Sequence, residues 1–190
     1  MSIFGFLILA VIAVAVIYVI MVFNGLVSLK NNVKKAWANI DVLLKQRHDE
    51  LPKLVETCKQ YMGYERETLE KVMQARAGVQ QARESGDVAA LGPAEAQMRS
   101  VIGKLYAVAE AYPQLKANES FQELQARITG LESAIADRRE FYNDSVNLYN
   151  TGIQQFPGVL VARQFGFKAA SLLEFGEDEK KDVDMKALFS

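Results

Sequence analysis

Residues 37–61 read WANIDVLLKQRHDELPKLVETCKQY. Trp37, Ile40, Leu44, Leu51, Leu54, Cys58 and Tyr61 fall at helical spacing, and the same series extends back through Leu26, Leu29 and Val33. Apolar residues recurring every three or four positions form one stripe along a helix, and a stripe must be buried against other helices. The only polar step is Arg47, within the run Arg47, His48, Asp49, Glu50 that precedes Pro52. A proline inside a helix removes a hydrogen bond and crowds the preceding turn, but it is comfortable in a first turn. The chain therefore either kinks at Pro52 or starts a second helix there, with Asp49 placed as a cap for that helix. Because the seam keeps register across Pro52, one bent rod over 26–84 is expected.

Outward from this segment, residues 3–23, IFGFLILAVIAVAVIYVIMVF, carry no charge. As a helix they would span about 31 Å, the thickness of a bilayer core. A cleaved leader would need a basic start, a shorter apolar run and a small-residue cleavage site, and none is evident. The expectation is a retained single-pass anchor over 1–25. Lys30, Lys34 and Lys35 follow it and no basic residue precedes it. By the positive-inside tendency the body should lie in the cytoplasm and the N-terminus outside. The same lysines could meet anionic headgroups.

Downstream, Ser85-Gly86-Asp87 breaks the chain, and an antiparallel helix over about 88–111 should follow. Asn118 is placed to cap a third long helix, whose seam reads Phe121, Leu124, Ile128, Leu131, Ile135, Arg138, Tyr142, Tyr149, Ile153 and Phe156. Phe156-Pro157-Gly158 ends it, and a short helix follows. The charged segment 176–190 should be a solvated tail. No useful strand alternation occurs. The fold class expected is all-α: an N-terminal transmembrane helix, then an elongated antiparallel three- to four-helix bundle over 26–175 with coiled-coil-like packing.

Chemistry is sparse. His48 and Cys58 are the only histidine and cysteine. They lie ten residues apart on one helical segment, about 15 Å along the axis, too far for a nucleophile–base pair. Neither a zinc ligand set nor a helical di-iron motif is present, and no phosphate-binding loop appears. No cofactor is expected. A net charge of −1 gives no nucleic-acid signature. Arg47 and Arg138 fall on apolar seams, and unpaired buried charge is costly. They are expected to pair with Asp41 or Asp49 and Glu132 in a polar layer with His48 that fixes helix register.

The block W-x-x-I-D-V-x-L-K-x-R-H-D-x-x-P-x-L-V-E over 37–56 resembles the LemA family of bacterial membrane proteins. So do AYPQLKANESFQELQ, YNDSVNLYNTGIQQFP and the terminal DMKALF. Cys58 departs from the small aliphatic residue expected there. The resemblance implies a single N-terminal transmembrane helix in the bacterial inner membrane, a cytoplasmic helical body and no established catalysis. The reading is a membrane-anchored structural or interaction protein, not an enzyme. Its partners are the lipid bilayer and copies of itself, as a scaffold. The alternative is an adaptor for a membrane protease or transporter, and a metal-binding or enzymatic bundle is more remote.

Overall fold

A computed structural model describes residues 3–174. Among the described residues there are six helices: α1 (Ile3–Lys59), α2 (Arg66–Ser85), α3 (Val88–Ala109), α4 (Pro113–Lys116), α5 (Glu119–Gln154) and α6 (Gly158–Phe165). No strand occurs among the described residues. The class is all-α, a helical bundle with a long apolar N-terminal helix. The charged tail expected over 176–190 lies outside the described residues.

The single rod expected over 26–84 is two helices. Helix α1 continues through Pro52 and ends at Lys59. There the chain turns: the Tyr61 and Met62 amides both donate to the Cys58 carbonyl, at 3.0 and 2.8 Å. With no helix starting at Pro52, Asp49 has no N-terminus to cap. The next break falls as the sequence indicates. Gly86 takes a left-handed φ of 66°, open to glycine at no steric cost. Asp87 then caps α3 by accepting from the Ala89 and Ala90 amides at 3.0 and 3.1 Å. Asn118 caps α5 through the Phe121 amide at 2.9 Å.

The chain divides into two compact units. The first comprises residues 3–38 together with Glu140–Ser171; the second comprises Asn39–Arg139 and residues 172–174. The core of the second unit is built on the predicted α1 seam: Ile40, Leu44, Leu51, Leu54 and Cys58 are each no more than 1% exposed. Val72 and Val79 of α2, Leu91, Met98, Ile102 and Leu105 of α3, and Phe121, Ile128 and Ile135 of α5 are buried with them. Each such large side chain contributes about 1.5–3 kcal/mol on leaving water.

In the first unit Leu26, Tyr149, Ile153, Val161 and Ala162 form the core, flanked by Val22, Phe23, Leu29 and Val33. Trp37 is half-buried, its ring 5.6 Å from that of Tyr142. Gly158 makes the close corner between α5 and α6 feasible, because a Cβ there would stand 2.2 Å from the Gly152 carbonyl oxygen. After α6 the chain returns along α5, held by three side chains. The Tyr149 and Tyr142 hydroxyls donate to the Lys168 and Ser171 carbonyls at 2.8 and 2.9 Å. The Asn150 amide both donates to and accepts from the Ala170 backbone at 2.9 Å. Phe156, expected on the α5 seam, instead lies beyond the end of that helix and is 79% exposed. The helical period that would have buried it has already ended at Gln154.

Candidate functional site

The α1 seam carries Arg47 into the core of the second unit. Its guanidinium donates to the Glu95 carboxylate, and each side chain is only 3% exposed. Glu132 of α5 approaches the same layer. Its Oε1 is buried and has no hydrogen-bond partner. Burial pushes the Glu132 pKa up and Glu95 adds to the rise, while Arg47 and Arg99 pull it down. On α3 the Tyr106 phenol is pushed up, first by burial and then by Glu132. The layer thus holds two carboxylates, Glu95 and Glu132, facing Arg47. Removing one partner of such a pair is expensive, whereas exchanging the whole pair for apolar groups often is not.

A second line of contacts joins α1 to α2. Arg83 donates to both oxygens of Asp41, the longer bond being 3.3 Å. Arg76 donates to the His48 carbonyl at 2.9 Å and contacts His48 Nε2 at 2.5 Å. A guanidinium can only donate, so Nε2 accepts and the ring is neutral, with its proton on Nδ1. In keeping with this, burial lowers the His48 pKa and Arg76 lowers it further. Glu50 accepts from Arg127 at 3.0 Å and Lys53 at 3.2 Å. Burial alone would raise its pKa, but those two bonds hold it low.

Several predicted roles shift. Arg138 is exposed, and the buried arginine on α5 is Arg139, 3% exposed. Arg47 pairs with Glu95 rather than with Asp41 or Asp49, because Asp41 is taken by Arg83 and Asp49 is exposed on α1. Asp49 acts by charge alone, favouring the protonated forms of His48 and Arg83. Pro52 stands inside α1. Lys30, Lys34 and Lys35 are exposed, and Lys30 Nζ lies 5.7 Å from the centre of the Phe167 ring.

Glu95 was missed although its signal was present. Leu91, Glu95, Met98, Ile102 and Leu105 step by four, three, four and three, so Glu95 stands on the buried stripe of α3. Arg76, Arg83 and Arg99 had no such mark, since each sits among ordinary helix-surface charges.

An open groove of about 860 Å³ lies between the end of α1 and α2, lined by Pro52, Val55, Met62, Leu69 and Met73. Lys59, Arg66, Glu56 and Glu70 supply the charged part of its lining. Among the described residues no group of three His, Cys, Asp or Glu side chains could hold a metal ion. Cys58 is buried and its thiol is pushed up by burial to about 11, so it is not a thiolate at neutral pH.

These features define a class: among the described residues, a helical protein with one N-terminal helix long and apolar enough to cross a membrane, and a bundle that buries an Arg47–Glu95 ion pair. The chain belongs to the LemA family, whose sequence model matches residues 36–186. It is 27% identical to Protein LemA of Metamycoplasma hominis over 189 residues, covering 97% of this chain and 84% of that protein. It is 33% identical to magnetosome protein MamQ 2 of Paramagnetospirillum magneticum over 89 residues, 47% of this chain and 32% of the relative. With magnetosome protein MamQ of Magnetospirillum gryphiswaldense the identity is 22% over 172 residues, 78% of this chain and 63% of the relative. The chain thus spans less than two thirds of either MamQ relative.

Proposed function

We propose that this is a membrane-anchored interaction protein without catalytic activity, assembling laterally with copies of itself. The supporting observation is α1. Its segment 3–23 is uncharged, its large apolar side chains stand exposed from Ile3 to Met21, and the helix runs on without a break at Asn24-Gly25. Exposed apolar surface of that extent is stable only in lipid or against other protein. In this reading residues 1–25 anchor the chain in the inner membrane, and 26–175 form a cytoplasmic body beside Lys30, Lys34 and Lys35. Anchoring confines copies to one plane and raises their effective concentration. The buried layer of Arg47, Glu95 and Glu132 then serves helix register rather than turnover.

The test is the mass of the full-length complex extracted in native lipid. A particle built of several copies of one chain supports the reading, and a lone monomer overturns the self-assembly. The groove beside α2 favours a second reading, an adaptor for another membrane protein. Methionine-rich apolar surfaces adapt to varied partner shapes. A distinct chain purifying at fixed ratio, and lost in Met73→Glu, would support that reading instead.

A further inference from the structure

In the first unit, the corner between α5 and α6 comes back to the level at which the apolar span of α1 ends. The Tyr142 ring lies 5.6 Å from that of Trp37, and a Cβ at Gly152 would stand 2.9 Å from Leu29 and 3.4 Å from Leu26. Helix α5 therefore runs antiparallel to α1, towards its apolar end. Phe156 follows two residues after the end of α5 at Gln154, on the corner that leads into α6. From the other side of the corner, the Phe165 ring lies 4.8 Å from that of Phe23, edge-on. On this corner Phe156 is 79%, Leu160 58% and Phe165 56% exposed. Val161 and Ala162 of α6 face the core, so Leu160 points away from it.

Charge follows the same geography. No Asp or Glu occurs between Ser145 and Leu173, nor in α1 before Asp41. The charged side chains near the corner are Lys30, Arg163 and Lys168, all exposed. An amphipathic element with bulky apolar side chains and only basic charge has the composition of a helix lying in a bilayer interface. A single exposed phenylalanine would mean nothing. Here three bulky side chains stand exposed on one corner, one of them against Phe23 at the end of the apolar span, and acidic residues are absent.

We propose that α6 and the α5–α6 corner lie in the membrane interface as a second, monotopic attachment. Phe156 and Leu160 enter the boundary between headgroups and acyl chains, and Arg163 and Lys168 contact anionic headgroups. The inference rests on the anchor reading of residues 3–23. It adds that the membrane-proximal end of the body is seated in lipid rather than held clear in water.

The experiment uses the full chain carrying Cys58→Ala, with one cysteine bearing an environment-sensitive NBD fluorophore at position 156, 160, 147 or 12. Each protein is reconstituted in phosphatidylcholine–phosphatidylglycerol vesicles. Iodide quenches from water, and spin-labelled lipids quench from a shallow or a deep position. Labels at 156 and 160 should be quenched by shallow spin-labelled lipid and be several-fold less sensitive to iodide than the label at 147. The label at 12 should respond to deep spin-labelled lipid. Iodide sensitivity at 156 and 160 equal to that at 147, with 12 still quenched from the bilayer, overturns the proposal and leaves the anchor standing. Labels at 156 and 160 shielded from both iodide and lipid quenchers would show a protein covering, which also overturns it. Loss of lipid quenching at 12 as well would overturn the anchor and the interface together.

Discussion

Arg47 is the position at which a single substitution should reveal most about the bundle. Its charge is buried against Glu95, with Glu132 close enough to be influenced by both. At an effective dielectric constant near 20, two unit charges 4 Å apart attract by about 4 kcal/mol. Much of that offsets the cost of removing both groups from water. Arg47→Met deletes the cation paired with Glu95 and leaves Glu95 and Glu132 opposed in the core, with only Arg99 still drawing on Glu132. The expected loss is about 3–5 kcal/mol, the range for breaking a buried pair. For a chain of this size that lowers the melting temperature by roughly 6–20 °C. Glu95→Gln should cost less, about 1–2 kcal/mol, because Arg47 keeps the attraction of Glu132 and a neutral acceptor remains. The double variant should be more stable than Arg47→Met alone, since it removes one of the two opposed carboxylates. Thermal and urea unfolding of all four proteins in one detergent, followed by far-ultraviolet circular dichroism, gives the cycle. Equal costs for the two single variants, or a double variant at their sum, would refute the account of the layer.

Three further outcomes follow from the same geometry. The raised pKa of Glu132 means that the folded chain holds this proton more tightly than the unfolded one. Stability from this group is therefore present at low pH and lost as pH rises from the ordinary carboxylate value through the raised one. Glu132→Gln should be more stable than the parent at pH 7 and flatten that part of a urea-midpoint profile, and an unchanged profile would contradict it. Leu54→Ala, at a position 0% exposed, should cost about 2–5 kcal/mol in a urea titration. Gly158→Ala drives a methyl group into the Gly152 carbonyl and should cost about 1–3 kcal/mol, read from Trp37 fluorescence during unfolding of the unit that holds both.

The α1 seam was legible because its stripe is long and nearly pure; every residue named on it from Ile40 to Cys58 is buried. The caps at Asp87 and Asn118 were legible for a similar local reason. A short polar side chain beside the first turn satisfies amides that nothing else can reach. Tertiary choices were less visible. Arg138 and Arg139 lie on opposite sides of the line from Ile135 to Tyr142, each about 50° from it at 100° per residue. Periodicity could not choose between them, and packing turned Arg139 inward. The end of α1 at Lys59 was hidden because apolar residues continue at helical spacing through Tyr61 and Leu69. The sequence supplies a glycine at Gly63 but no proline near that turn. Pairing was hardest to read: Asp41 had several arginines within plausible reach, and only the helix arrangement gives it Arg83.

Cys58 gives the protein a clock of its own. It is the sole thiol of the chain, 0% exposed and with its ionisation pushed up to about 11. An alkylating reagent therefore reacts with molecules in which the core around α1 has opened. One mass increment per modified chain counts those molecules directly. Lipid obscures many optical signals but leaves a mass spectrum readable, so opening rates can be followed in the bilayer itself, on unaltered protein.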